Sequence, residues 1–161
     1  ALFFSGVAIA VALGTTFGFF LSTPFIIALR ALSHLVFAVI GAWYLQKNPR
    51  IVLKDGQVTL ANWRFQSFNL VIGIIHAITE MLVVSAFFFM GNMPETYYSG
   101  GYFYTVFILM GVGGLIHSLV DYNIAYFVAG TLSKYFDIPI FTKAKQLEKK
   151  EIIGKTVKKV A

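Results

Sequence analysis

Residues 66–90 read QSFNLVIGIIHAITEMLVVSAFFFM, a long apolar run in which Glu80 is the one formally charged residue. A helix needs about 20 predominantly apolar residues to cross the hydrocarbon core of a lipid bilayer. The run exceeds that length, and the polar loop GNMPETYYSGG (91–101) follows it directly. Length and composition together predict a membrane-spanning helix over these residues.

Three further apolar runs share this character: ALFFSGVAIAVALGTTFGFFL (1–21), FIIALRALSHLVFAVIGAWYL (25–45) and residues 101–132. Of the 161 residues in the chain, 58% are hydrophobic and 12% are charged. A soluble domain carries about twice that share of charged residues. We therefore predict an all-α integral membrane protein with a four-helix transmembrane bundle over residues 1–132. Cysteine is absent, which excludes disulfides, thiolate metal sites and iron–sulfur clusters.

Two segments lie outside the predicted spans. In the loop at 46–65, the stretch IVLKDGQVTL (51–60) places Asp55-Gly56 between two short β-prone runs, which predicts a type I′ β-hairpin. Residues 133–161 form a basic tail. Within this tail, FTKAKQLEKKEII (141–153) predicts a short amphipathic helix that ends at Gly154.

The distribution of lysine and arginine predicts the orientation of the chain. The loop at 46–65 and the tail at 133–161 hold every basic residue except Arg30, which lies inside the second span. Because cytoplasmic loops are enriched in these residues, we predict that the loop and both termini are cytoplasmic. The net charge of +6 is then a topology signal, and no nucleic-acid partner is expected. The expected partners are the lipid bilayer and either other membrane subunits or further copies of this chain.

Ionisable side chains within the predicted spans need an explanation, because they are costly in a bilayer and usually functional. They form three pairs with i, i+4 spacing, which places both members on one helix face. The pairs are Arg30/His34, His76/Glu80 and His117/Asp121. Each helix therefore presents one polar stripe, which we expect to face away from lipid.

Counting residues from the basic end of each span sorts these side chains into two depths. His34, His76 and Asp121 share one depth, and Arg30, Glu80 and His117 lie about 6 Å further along. Two imidazoles and a carboxylate suit a transition metal such as iron, copper or zinc. In the haem alternative, His34 and His76 are the axial ligands of a b-type haem, and Arg30 meets a propionate. The other layer would then balance charge, orient the ligands or relay protons, with Arg30 pairing with Glu80.

Three functions are compatible with such a cluster. The first is a membrane subunit of a larger redox complex that holds the metal or haem; whether the chain is itself part of an oxidoreductase stays open, and no catalytic residue is assigned. The second is a protein that conducts protons or metal ions, since His and carboxylate chains line such pathways. The third is an accessory subunit in which the polar pairs only hold neighbouring helices together through hydrogen bonds.

Overall fold

The computed structural model describes residues 24–160, and the predicted first span at 1–21 lies outside this range. The described residues form helices and contain no strand. The elements are α1 (Pro24–Lys47), a 3-10 helix (Pro49–Val52), α2 (Trp63–Phe89), α3 (Glu95–Tyr98), a π-helical segment (Phe103–Gly113), α4 (Gly114–Leu132) and α5 (Pro139–Val160). The prediction of an all-helical protein is confirmed for this part of the chain.

Three stretches of the described residues are long and apolar enough to cross a membrane: Leu29–Lys47, Trp63–Phe89 and Phe103–Leu132, with mean hydropathies of 1.2, 2.1 and 1.8. They coincide closely with the predicted spans at 25–45, 66–90 and 101–132. The predicted count of four spans stays a prediction, because the remaining span falls outside the described residues.

Both ends of α2 are capped, the first by a side chain and the second by backbone hydrogen bonds. At the start, the Asn62 side-chain oxygen accepts the backbone N–H of Phe65 at 3.4 Å, which satisfies one of the orphan donors of the first turn. At the end, Gly91 adopts a positive φ of 72°, and the N–H groups of Gly91 and Asn92 bond to the carbonyls of Phe88 and Phe87. This is a Schellman motif, which requires glycine's conformational freedom.

The described chain divides into two compact units, residues 24–40 with 72–118 and residues 41–71 with 119–160. The second unit has a core in which α5 packs against the loop and against the end of α4. Its buried members are Val52, Leu53, Phe65, Tyr126, Phe141 and Ala144. The Tyr126 ring stacks on Phe65 with centroids 3.8 Å apart, and its hydroxyl donates to the Val52 carbonyl at 2.9 Å.

The predicted β-hairpin in the loop is not confirmed. Lys54 and Gln57 exchange two backbone hydrogen bonds of 2.9 and 3.0 Å, and Asp55 and Gly56 both have positive φ, as a type I′ turn requires. This pairing is an isolated bridge with no strands on either side. The residues before the turn instead form the 3-10 helix, because Val52 is buried in the core with α5 rather than paired with a second strand.

The tail forms a longer helix than predicted, since α5 continues through Gly154 to Val160. The predicted end at Gly154 is wrong: this glycine does not take the positive φ that would end a helix. An i, i+4 ion pair of 2.8 Å between Lys155 and Glu151 spans it. Glu151 also meets Arg50 of the loop at 3.3 Å. The hydrogen bond from Lys155 and the nearby charges of Lys155 and Arg50 lower the pKa of Glu151, so these contacts weaken as the pH falls through that lowered pKa.

We expect Phe141→Ala to release α5 from the loop. Phe141 is 3% exposed in the core of the second unit, and emptying such a site costs about 3–5 kcal/mol. Hydrogen exchange of the α5 amides in detergent should show strong loss of protection. Phe136→Ala is the matched control, because Phe136 is 65% exposed and its removal should leave protection unchanged. Undiminished protection in Phe141→Ala would show that polar contacts to the loop hold the helix without this core residue.

Candidate functional site

The carboxylate of Glu80 is the centre of a buried polar cluster in the first unit. Its Oε1 atom accepts hydrogen bonds from Arg30, with Nε at 3.3 Å and Nη2 at 3.2 Å. His34 Nε2 lies 3.3 Å from the same oxygen. Because an ionised carboxylate only accepts hydrogen bonds, His34 must carry its proton on Nε2 to donate here. One oxygen of Glu80 thus takes three donors from α1.

His76 lies one turn before Glu80 on α2 and is fixed by α4. Its Nδ1 is 2.7 Å from Ser118 Oγ, and the Ser118 hydroxyl donates its proton to the Gly114 carbonyl at 2.7 Å. A hydroxyl has only one proton, so Ser118 must accept from His76 Nδ1–H. The other nitrogen, Nε2, then faces Glu80 Oε1 at 3.9 Å. A proton added to His76 would be placed on Nε2, between the imidazole and the carboxylate.

The cluster has a buried side and a more open side. The Glu80 side chain is 8% exposed and that of Arg30 is 36% exposed, while His76 and Ser118 are buried. Phe37 packs against both imidazoles, with centroid distances of 4.3 Å to His76 and 5.5 Å to His34. The carboxylate is therefore enclosed by protein, whereas the guanidinium is the most exposed part of the cluster.

The structure brings together four of the six residues singled out in the sequence. The Arg30–Glu80 ion pair is present at 3.2 Å, as predicted. Among the described residues, one group of three His, Asp or Glu side chains places its ligand atoms within 4.8 Å of one another, and this group is His34, His76 and Glu80. Glu80 thus stands where the sequence analysis expected Asp121. The metal or haem role assigned to His34, His76 and Asp121 stays a prediction.

The two remaining residues, both on α4, are more exposed than the cluster. His117 and Asp121 are exposed, whereas Ser118 is buried beside His76. Adjacent residues on an α-helix point about 100° apart, which is why His117 and Ser118 cannot share a face. Ser118 is not among the residues singled out in the sequence. The signal that could have found it was its position as a polar residue within an apolar span.

Side-chain direction explains why Glu80 meets His34 across the two predicted depths. α1 and α2 run antiparallel in the first unit, since Arg30 pairs with Glu80 whereas Phe37 contacts His76. Side chains on a helix lean toward its N-terminus. Glu80 therefore leans back toward the level of His76, and His34 leans toward the level of Arg30. Counting residues along each helix gives the depth of the Cα atoms only, so it does not predict that the side chains of Glu80 and His34 meet.

The chemistry of the cluster favours an anion over a cation. Two imidazoles and a carboxylate are plausible ligands for a transition metal, but Glu80 Oε1 is already neutralised by the Arg30 guanidinium. A divalent ion bound to that oxygen would be repelled by Arg30 at close range. A small anion that reaches Arg30 meets the N–H groups of its guanidinium, whereas the Nε2–H of His34 is already donated to Glu80.

Comparison with known proteins bears directly on the function. The chain is 42% identical over 155 residues to the protein "Niacin transporter NiaX" of Lactococcus lactis subsp. cremoris (strain MG1363). The match covers 94% of this chain and 64% of the relative, so the chain spans a little under two thirds of the relative's length. No protein-family model matches the chain, and no solved structure matches it.

This similarity overturns the prediction of a subunit of a redox complex. The relative is a substrate transporter, and the electron-transfer and oxidoreductase roles inferred from the His and carboxylate residues have no support from it. The general pattern of buried ionisable groups also suits a transport pathway. The similarity to a transporter and the three apolar helices together show that the chain is an integral membrane protein.

Proposed function

We propose that this chain is a membrane transporter for niacin or a closely similar pyridine carboxylate. The observation that carries the proposal is its 42% identity, over 94% of its length, to a niacin transporter. The redox function is not needed to account for the intramembrane polar residues, because transporters place ionisable side chains along their substrate pathways.

The geometry of the first unit supports a substrate of this chemistry. Niacin is an aromatic ring that carries one carboxylate, which is ionised at neutral pH. Small-molecule sites combine apolar and aromatic walls with a few fixed polar groups. Arg30 offers a guanidinium suited to a carboxylate, and the partly exposed His34 ring lies beside it.

Orientation and assembly form a second part of the proposal. We propose that residues 1–21 supply a fourth span and that both termini are cytoplasmic, which would put the basic loop and α5 on the cytoplasmic side. We also propose that the chain works with further copies of itself or with other membrane subunits.

Uptake of labelled niacin tests the function. Cells that lack their own niacin uptake and express the full chain should accumulate labelled niacin in a saturable manner. Excess unlabelled niacin should abolish the signal, whereas nicotinamide should compete weakly because it has no carboxylate. Binding of labelled niacin to the purified protein is the second readout, since it does not depend on partner subunits. Absence of both saturable uptake and specific binding, with the protein present in the membrane, would contradict the proposal.

A further inference from the structure

Both acidic residues of α5 face the loop at 46–65. The helix contains seven lysines but only two acids, Glu148 and Glu151. Glu148 Oε1 accepts the backbone N–H of Gly56 at 2.8 Å, and Glu151 Oε2 lies 3.3 Å from Nη1 of Arg50. The negative charges of α5 are therefore held on the side of the helix that packs against the rest of the second unit.

The opposite side of α5 carries basic and apolar side chains and no acid. At about 100° per residue, four side chains of the later turns point away from the core that contains Phe141. They are Lys149, Lys150, Ile153 and Val157, and we call them the outer surface of α5. Both lysines are exposed, and neither forms an ion pair with another described residue. Ile153 and Val157 are 54% and 62% exposed.

The first turns of α5 lie beside the ends of two membrane-spanning helices. Phe141 stacks on Tyr126, with ring centroids 6.4 Å apart. Tyr126 lies six residues before the end of α4 at Leu132, which is about 9 Å along the helix. Lys143 Nζ donates to the carbonyl of Gln46 at 3.2 Å, one residue before the end of α1. In the second unit α5 therefore starts at the level of the span ends, where a bilayer has its headgroups.

Exposed aromatic side chains of the second unit mark the same level. Trp43 and Tyr44 are exposed in the last turns of α1, and Trp63 is exposed at the start of α2. The ammonium group of Lys47 lies 4.0 Å from the centre of the Trp43 ring. Tryptophan and tyrosine are enriched where a membrane meets water, so these positions place the interface beside α5.

We propose that the outer surface of α5 binds the headgroups of anionic phospholipids in the bilayer that the chain spans. Basic segments next to a span are attracted to anionic lipid, and no acid on this surface opposes that attraction. Lysine keeps its charged end in the headgroup region while its stem covers apolar surface, so Ile153 and Val157 can enter the interface beside it. Lysine is depleted in protein–protein interfaces, which favours lipid over a protein partner. The proposal does not depend on the transported substrate.

Fluorescence from one introduced cysteine tests the proposal. The chain has no cysteine, so a fluorophore on Ile153→Cys labels the full chain at one position. The purified protein is placed in nanodiscs of phosphatidylcholine alone or of an equimolar mixture with phosphatidylglycerol, and quenching by acrylamide is measured. We expect several-fold weaker quenching in the mixture, and recovery at high salt because salt screens the attraction. A label on Glu95→Cys, in an exposed loop without basic residues, should be quenched equally in both lipids.

A pair of charge variants in the chain labelled at Ile153→Cys identifies the surface. Lys150→Gln should lower the ratio of shielded to accessible label about fivefold in the mixed lipid, the effect expected of one lysine close to an anionic surface. Lys155→Gln is the matched control, because it removes the same charge from the same helix. Its ammonium group lies 2.8 Å from Glu151 on the side that faces the loop, so its removal should change the ratio little.

Each of the other outcomes contradicts the proposal. Equally strong quenching in both lipids would show that the outer surface stays in water. Equally weak quenching would show that protein or uncharged bilayer covers it. Shielding that persists at high salt would exclude attraction between charges as its cause. Equal losses in Lys150→Gln and Lys155→Gln would show that the total charge of the tail, and not the outer surface, attracts the lipid.

Discussion

Replacing Arg30 with alanine is expected to weaken niacin binding by about 100-fold. Truncating one partner of a desolvated, hydrogen-bonded charge pair costs about 2–5 kcal/mol, and each 1.4 kcal/mol corresponds to tenfold in affinity. The partial exposure of Arg30 argues for the lower part of that range. Equilibrium binding of labelled niacin to the purified variant measures the loss. Arg64→Ala is the matched control, because Arg64 is an exposed cation, and it should bind as the wild type does.

Comparing the affinities of the Arg30 variants for niacin and nicotinamide shows whether Arg30 binds the carboxylate or only supports the fold of the site. Nicotinamide has the same ring with a neutral amide, so Arg30→Ala should affect its weak binding little and largely remove the preference for niacin. Arg30→Lys should recover part of the affinity, since lysine keeps the charge but lacks the planar fork that matches a carboxylate. An equal loss of affinity for niacin and nicotinamide would show that Arg30 supports the shape of the site without contacting the carboxylate.

Most of the fold follows from the length and hydrophobicity of the apolar runs in the sequence. Three described helices lie where apolar runs of about 20 residues predict them, because hydrophobic length decides whether a segment crosses a bilayer. Features that depend on packing were not predictable in the same way. The Asp55-Gly56 turn geometry is local and is present, but the strands expected beside it would have needed Val52 to pair rather than pack against Phe141. The π-helical segment Phe103–Gly113 leaves no comparable mark in the sequence.

The candidate site was predictable in composition and only partly in geometry. Spacing of i, i+4 identified which residues share a face, and depth identified Arg30 and Glu80 as partners. Neither property gives the rotation of one helix about its axis relative to another. For that reason Asp121 was grouped with His34 and His76, whereas α4 turns Ser118 toward His76 instead. The identity of the ligand was least predictable, because the same imidazoles and carboxylate suit a metal, a proton or an organic anion.

Glu80→Ala is expected to destabilise the protein by about 3 kcal/mol, the lower end of the cost of removing one partner from a buried ion pair. The variant leaves the Arg30 guanidinium with no carboxylate to neutralise it. Thermal or denaturant-induced unfolding in a fixed detergent measures the change. Glu95→Ala is the control, because Glu95 is exposed and its removal should alter stability by less than about 0.5 kcal/mol.

The double variant Arg30→Met/Glu80→Leu should recover stability to within about 1 kcal/mol of the wild type, because well-packed apolar side chains often replace a buried ion pair at no cost. It should nevertheless fail to bind niacin. Such a result would separate the two roles: the ion pair would be dispensable for folding and required for the substrate. If the double variant is as unstable as Glu80→Ala, then the polar contacts around Glu80, including those to His34 and His76, are themselves needed to hold α1 against α2 in the first unit.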